Sequence, residues 1–169
     1  MGIMKTKNIV RWRAAAVLAL ALAVTPAGAL ELDYIDSDLW TRDRDCEAIG
    51  DTLLVALEYG LQVWDLGDTA QPLLLSDVYL DGQRASSVDA FGNLAAVTTN
   101  GGSLYLFDIT DLSAPAQLSV IDGDLGTTPD VALVEREGTL FAYAAGPGGF
   151  KLYDLGTPAL PLLRGTLAV

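Results

Sequence analysis

Residues 61–72 read LQVWDLGDTAQP, and two closely similar stretches follow later in the chain. The second reads LYLFDITDLSAP at residues 104–115, and the third reads FKLYDLGTPALP at residues 150–161. Each has an apolar run, an aromatic residue, an aspartate, an aliphatic residue and a proline seven positions after the aspartate. The copies lie 43 and 46 residues apart, and a nearly fixed period of this length indicates a stacked repeat architecture.

The residues that recur in the three copies have structural explanations. An aromatic side chain before each aspartate faces one side of its strand, where it can pack between neighbouring units. The aspartate can accept backbone N–H bonds in the turn that follows, and the proline fixes φ at the start of the next strand. We assign no catalytic, cofactor-binding or metal-binding residue, and we predict structural repeat positions at Trp64, Phe107, Tyr153, Asp65, Asp108, Asp154, Pro72, Pro115 and Pro161.

Each copy belongs to a longer unit of four short apolar segments separated by turn residues. Glycine-rich joints between apolar runs are typical of hairpins, because glycine adopts positive φ without steric cost. Four-stranded units of about 43 residues in series are typical of β-propeller blades. The sequence therefore predicts an all-β fold of about three propeller-type blades, each of four antiparallel strands, in an incomplete or open propeller. An open β-sandwich is the alternative, but it would not require a constant distance from aspartate to proline.

The chain has one cysteine and no histidine. A single thiol cannot close an internal disulfide, and no histidine is available to activate a nucleophile or to bind a metal. Cys46 lies four residues before the turn glycine of its unit, as Val88 and Val134 do in theirs. We therefore predict that Cys46 is a small buried apolar residue.

The N-terminal segment has the pattern of a secretory signal peptide. Four basic residues and no acidic one precede an apolar run at residues 14–24, and small residues then lead to Ala29. The run is shorter than the roughly 20 residues of a spanning helix, so we predict no stable membrane span here. We expect cleavage after Ala29 and export to the periplasm, the cell surface or the medium. Removal of residues 1–29 would change the net charge from −12 to −16, which disfavours nucleic acid as a partner.

The repeats resemble those of the LVIVD-repeat proteins, in which a Gly-Leu-x-x-x-Asp-[Ile/Leu] strand precedes a turn that ends in proline. Residues 60–66 (GLQVWDL) match this pattern, residues 149–155 (GFKLYDL) match with Phe for Leu, and residues 103–109 (SLYLFDI) have Ser for Gly. The resemblance covers residues 46–169 and implies an exported β-propeller without a general assigned reaction. Trp-Asp repeat propellers are the alternative, but their units carry a Gly-His pair and this chain has no histidine.

These patterns predict a signal peptide at 1–29, an N-terminal strand or linker at 30–45, and repeats at about 46–87, 88–133 and 134–169. Closed propellers have four to eight blades, so three repeats leave two explanations. Either the 169 residues are the N-terminal part of a longer protein, without independent function, or the chain closes by self-association through open blade edges.

The expected function is non-enzymatic binding or scaffolding, with loops such as 81–84 and 122–128 contacting an unidentified protein or surface partner. The alternative is a hydrolase or lactonase-like propeller that holds Ca²⁺ through carboxylates, since calcium takes oxygen ligands. Candidates for that role are Asp45, Asp89 and Asp130, although they do not fall at one repeat position. Apart from this possible Ca²⁺, we predict no cofactor.

Overall fold

The computed structural model describes residues 43–122, 125–127, 129–147 and 149–168, so the predicted signal peptide and residues 30–42 lie outside the described part. Every regular element in the described residues is a strand. The twelve strands are β1 (Asp43–Ile49), β2 (Thr52–Leu57), β3 (Gly60–Asp65), β4 (Leu73–Tyr79), β5 (Ala85–Phe91), β6 (Leu94–Thr99), β7 (Leu104–Asp108), β8 (Ala116–Ile121), β9 (Asp130–Arg136), β10 (Thr139–Gly146), β11 (Gly149–Asp154) and β12 (Leu162–Leu167).

The strands form three antiparallel sheets of four, and each sheet takes consecutive strands in chain order. We call them blade 1 (β1–β4), blade 2 (β5–β8) and blade 3 (β9–β12). Tight turns join the strands, as at Gly92, where φ is +61° and the chain reverses from β5 into β6. The prediction of an all-β fold with four-stranded propeller-type blades is confirmed.

Hydrogen-bond register defines the equivalent positions in the three blades. Thr52, Leu94 and Phe141 lie opposite the three repeated aspartates. In addition, the pairing of the third strand with the fourth is irregular two residues before each aspartate, between Val63 and Trp64 in blade 1 and at the same place in blades 2 and 3. The period seen in the sequence is therefore a period in backbone geometry.

The first strand of each blade lies beside the first strand of the next blade, because β5 packs against both β1 and β9. We call β1, β5 and β9 the inner strands. Two apolar cores fill the spaces between blades: one is centred on Leu61, Val63 and Phe107 between blades 1 and 2, and the other on Leu106 and Tyr153 between blades 2 and 3. Each sheet thus buries at least one apolar face against a neighbouring sheet, as layered β folds require.

Cys46 is exposed, so the prediction of a buried position was wrong. Register places Cys46 level with Val88 and Val131, which are 3% and 7% exposed. Those two valines face the preceding blade, whereas no described blade precedes blade 1. Val134 is not their equivalent, because the hairpin of β9 and β10 is longer than the corresponding hairpins of blades 1 and 2.

The sheets begin at other positions than the predicted repeats. The predicted boundary between residues 87 and 88 falls inside β5, and the boundary between 133 and 134 falls inside β9. Residues 43–45, assigned from sequence to the N-terminal strand or linker, are part of β1. The difference arises because the inner strand precedes the turn glycine that marks each unit in the sequence. Within the described residues, no helix is long and apolar enough to cross a membrane.

Candidate functional site

The repeated aspartates end the third strand of each blade and hold the turn that follows. Oδ1 of Asp65 accepts a hydrogen bond from the Gly67 N–H at 2.7 Å, and Oδ1 of Asp154 accepts one from the Gly156 N–H at 2.8 Å. Asp108 accepts bonds from both the N–H and the hydroxyl of Thr110. These side chains therefore act on their own turns, as Asx residues do, and they lie in separate blades rather than in one site.

The repeated aromatic residues do not share one environment. Phe107 and Tyr153 are 1% and 4% exposed, and each packs in the core toward the preceding blade. Trp64 occupies the equivalent position in blade 1 but is only half-buried, and its Nε1 donates a hydrogen bond to Oε1 of Gln62 at 3.1 Å. The three prolines each precede the fourth strand of a blade, outside the core.

The carboxylates considered for a metal lie along the inner strands. Asp45 and Asp130 occupy the same register position in blades 1 and 3, and Ser87 occupies it in blade 2. Asp89 lies two residues after this position, so the three candidate aspartates together share no repeat position, although Asp45 and Asp130 do. The longer hairpin of β9 and β10 obscures the match in the sequence, because Asp130 lies eight residues before its turn glycine and Asp45 lies five before its own.

Ser87 joins these two carboxylates across three blades. Its Oγ lies 2.7 Å from Oδ2 of Asp45 and 2.7 Å from Oδ1 of Asp130. A serine hydroxyl has one hydrogen, so it can donate to only one of the two aspartates at a time. Ser87 is 5% exposed, and the arrangement fixes the spacing of β1, β5 and β9 at the ends where these strands begin.

Carboxylate oxygens of Asp45 and Asp89 also accept hydrogen bonds from backbone groups of the neighbouring blade. Oδ2 of Asp45 accepts the Val88 N–H at 3.1 Å, and Oδ2 of Asp89 accepts the Leu133 N–H. Each aspartate also bonds its own following N–H, at 2.9 Å for Asp45 and 2.7 Å for Asp89. These bonds tie one inner strand to the next, so both side chains have a structural use.

A cleft of about 330 Å³ opens beside Ser87. It is our candidate binding site, and it is lined by Arg44, Asp45, Ser86, Ser87, Pro129 and Asp130. The interblade loops lie at the same end of the blades: the Leu125 N–H bonds the Gly102 carbonyl, and the Asn100 N–H bonds the Arg84 carbonyl. The loops predicted to meet a partner therefore lie at the end of the blades where the cleft opens, although residues 123, 124 and 128 are outside the described part.

The described residues contain no group of three or more Cys, Asp or Glu side chains placed to hold a metal ion. In the cleft only two carboxylates converge, and both already accept hydrogen bonds. Calcium takes six to eight oxygen ligands, so these two carboxylates would supply only part of a Ca²⁺ ligand set.

Sequence reasoning missed Ser87 as a member of this site. Serine is common in loops and strands, and nothing in the order of residues shows that three inner strands converge. The available signal was the serine's place in the unit, directly before the apolar Val88, where blade 3 has Asp130 directly before Val131.

Comparison with known proteins supports the fold and goes no further. No family and no curated protein matches the sequence. Among solved structures, the chain is similar to the computationally designed Ika4 protein, with a TM-score of 0.58 over 81% of this chain and 78% of that one, at 14% identity. This likeness, at such low identity, concerns the fold alone.

Two weaker similarities have TM-scores below 0.5. One is to a chain of the mitotic checkpoint complex, with a TM-score of 0.49 and 20% identity, and the other is to the N-terminal domain of Nup159, with 0.45 and 10%. The chain spans 47% and 30% of the lengths of these two chains. The class of protein that the structure itself defines is an all-β protein of propeller-type blades.

Proposed function

We propose that this chain is an exported, non-enzymatic β-propeller of the LVIVD-repeat kind that binds or scaffolds a partner at the cell surface or in the periplasm. The observation that carries the proposal is the use of the inner-strand side chains. Asp45, Asp89 and Ser87 form hydrogen bonds between neighbouring blades, so these polar groups have a structural role. The part left for recognition is the loop end around the cleft, and loops on a rigid scaffold commonly carry recognition.

The charge of the loop end favours a basic partner. Asp81, Asp122 and Asp130 lie at or near the interblade loops, together with Arg44 and Arg84. The whole chain carries a net charge of −12, so attraction of a cationic surface would be long-ranged and sensitive to salt.

Binding of a lysine-rich peptide and of a glutamate-rich peptide of equal length, measured by fluorescence anisotropy at low and high salt, tests this proposal. We expect the basic peptide to bind and its affinity to fall as salt is added. Asp81→Asn combined with Asp122→Asn should weaken that binding, while Asp68→Asn, in the turn that follows β3 in blade 1, should not. Equal binding of both peptides, or none, would contradict the proposal.

The enzymatic alternative has its own test. Hydrolysis of lactone and ester substrates by the purified chain, with millimolar Ca²⁺ and with a chelator, should give no turnover above background if the chain is a binding module. Turnover that depends on Ca²⁺ would replace the proposal with the hydrolase alternative.

A further inference from the structure

The blades at the two ends of the described array each have one uncovered broad face. We call the side of a blade that faces the preceding blade its leading face, and the other side its trailing face. Blade 2 buries both: its leading face packs on blade 1, and its trailing face packs on blade 3. Within the described residues, nothing corresponding covers the leading face of blade 1 or the trailing face of blade 3.

The trailing face of blade 3 is apolar and partly exposed. On blade 2 the four central trailing positions are at most 5% exposed, and they are Leu94, Ala96, Leu104 and Leu106. The same register positions on blade 3 are Phe141, Tyr143, Phe150 and Leu152, all only half-buried. The rings of Tyr143 and Phe150 contact each other, with centroids 5.7 Å apart. This face keeps the apolar pattern of an interblade contact.

The leading face of blade 1 keeps the complementary pattern. Leu53, Trp64 and Leu66 are half-buried, although their equivalents on blade 2 are at most 4% exposed. Those equivalents are Ala95, Phe107 and Ile109, which pack into the core against blade 1. Cys46 completes this face at its inner strand.

We infer that the leading face of blade 1 in one copy packs on the trailing face of blade 3 in a second copy, and the reverse, so that two copies form one ring. Within one chain, a leading face already packs on a trailing face at two junctions. A third contact of the same kind would place another blade beside the trailing face of blade 3. The described residues of one copy supply three blades, so those of two copies supply six and those of three supply nine, and closed propellers have four to eight. A dimer is therefore the number of copies that closes the ring.

This dimer is head-to-tail, because different faces of the two copies meet at each junction. The side chains at the new junction are larger than those inside the chain, as Tyr143 in place of Ala96 shows. The junction between copies is therefore thicker than the two internal ones. The inference concerns the blade faces and is independent of the partner proposed for the loop end.

The two internal junctions share a serine-to-carbonyl hydrogen bond that the junction between copies would lack. The Ser76 hydroxyl donates to the Leu112 carbonyl of the next blade at 2.8 Å, and the Ser119 hydroxyl donates to the Pro158 carbonyl at 2.7 Å. The equivalent donor position on blade 3 is Gly165, which has no hydroxyl. Its acceptor in the second copy would be the carbonyl of Thr69, which lies four residues after Asp65 as Leu112 does after Asp108.

Light scattering and sedimentation of the purified protein, expressed from the full sequence, test the inference. We expect a dimer mass that falls to the monomer mass on dilution. Tyr143→Glu and Trp64→Glu should each give a folded monomer, whereas Leu160→Glu, on an exposed turn, should leave the dimer intact. An equimolar mixture of the first two variants should recover dimer, because one junction in that pair is free of both substitutions.

Gly165→Ser tests the inference by strengthening the proposed junction, whereas the Glu variants weaken it. A Cβ at Gly165 meets nothing within 4 Å and its φ is not positive, so serine fits without strain. We expect the added hydroxyl to lower the dimer dissociation constant several-fold. A monomer at all concentrations would overturn the inference and would mean that residues 30–42 or further blades of a longer polypeptide cover these faces. A dimer lost in only one of the two Glu variants would overturn the head-to-tail arrangement.

Discussion

At the scale of the single residue, Asp108 shows how a repeated side chain acts. The hydroxyl of Thr110, and then its backbone N–H, hold the pKa of the Asp108 carboxyl below its usual value, because both bonds favour the ionised form. The pKa of Asp154 is lowered by the Gly156 N–H and by Arg164, whose guanidinium lies 2.7 Å from Oδ2. The turns are therefore most stable with these carboxylates ionised.

The pH dependence of stability follows from the direction of these shifts. A carboxyl whose pKa is lower when folded stabilises the protein above its unfolded pKa of about 3.9, and this contribution is lost as pH falls through the folded value. We expect Thr110→Val to raise the pKa of Asp108, measured by NMR titration of its carboxyl carbon. We also expect the variant to unfold at a higher pH than the parent on acidification. An unchanged titration midpoint would show that the hydroxyl does not set the pKa.

Asp89 allows a test of the bonds between inner strands. Its carboxylate accepts the N–H groups of Ala90 and Leu133, the second in the neighbouring blade. Asp89→Ala leaves both donors without this acceptor, which should lower the free energy of unfolding by about 1–3 kcal/mol. Asp89→Asn should cost less than Asp89→Ala, because its amide oxygen still accepts one of the two N–H groups, although its NH2 group faces the other. Urea denaturation of both variants measures the difference, and equal losses would argue that charge matters more than hydrogen bonding.

At the scale of the element, glycines at equivalent strand ends are required by close packing. Gly149 has φ of +110°, and a Cβ there would overlap the carbonyl oxygen of Leu167 on the adjacent strand. Gly60 has the same relation to the carbonyl oxygen of Val78 in blade 1. In blades 1 and 3, the glycine that begins the third strand is thus the residue that lets the third and fourth strands approach, whereas blade 2 has Ser103 at this position.

Gly149→Ala should therefore destabilise the protein by at least about 1–2 kcal/mol, the cost of a side chain in a left-handed backbone conformation. Gly165→Ala on the neighbouring strand is the matched control, and it should be near neutral because the space around it is open. Thermal unfolding of the two variants gives the comparison. Similar melting temperatures would contradict the role assigned to Gly149.

Most of the elements could be predicted from sequence, because their signals are local. Strands β4 and β12 begin directly after Pro72 and Pro161, where the repeated proline predicts the start of a strand. The convergence of Asp45, Ser87 and Asp130 could not be predicted, since it depends on the packing of three sheets. The exposure of Cys46 could not be predicted for the same reason. Burial at this position depends on a preceding blade, and the sequence of the residue's own unit does not show whether a blade packs there.

At the scale of the whole molecule, the exposure of Cys46 depends on whether two copies form the proposed ring. Cys46 is exposed on the leading face of blade 1, which the proposed dimer covers. The rate at which a thiol reagent labels Cys46 should therefore fall as the protein concentration rises. In Trp64→Glu, which prevents the dimer, labelling should be fast at every concentration. A rate that is independent of concentration in both proteins would place Cys46 outside any interface between copies.

The order of the strands also bears on how the chain reaches its native state. Among the described strands, every ladder joins neighbours in the sequence, so none of these pairings needs a distant segment. Contacts between residues close in sequence form quickly, since short loops cost little entropy to close. Each sheet can therefore assemble as soon as its own stretch leaves the ribosome, and the finished sheet then offers a surface on which the next stretch can pack.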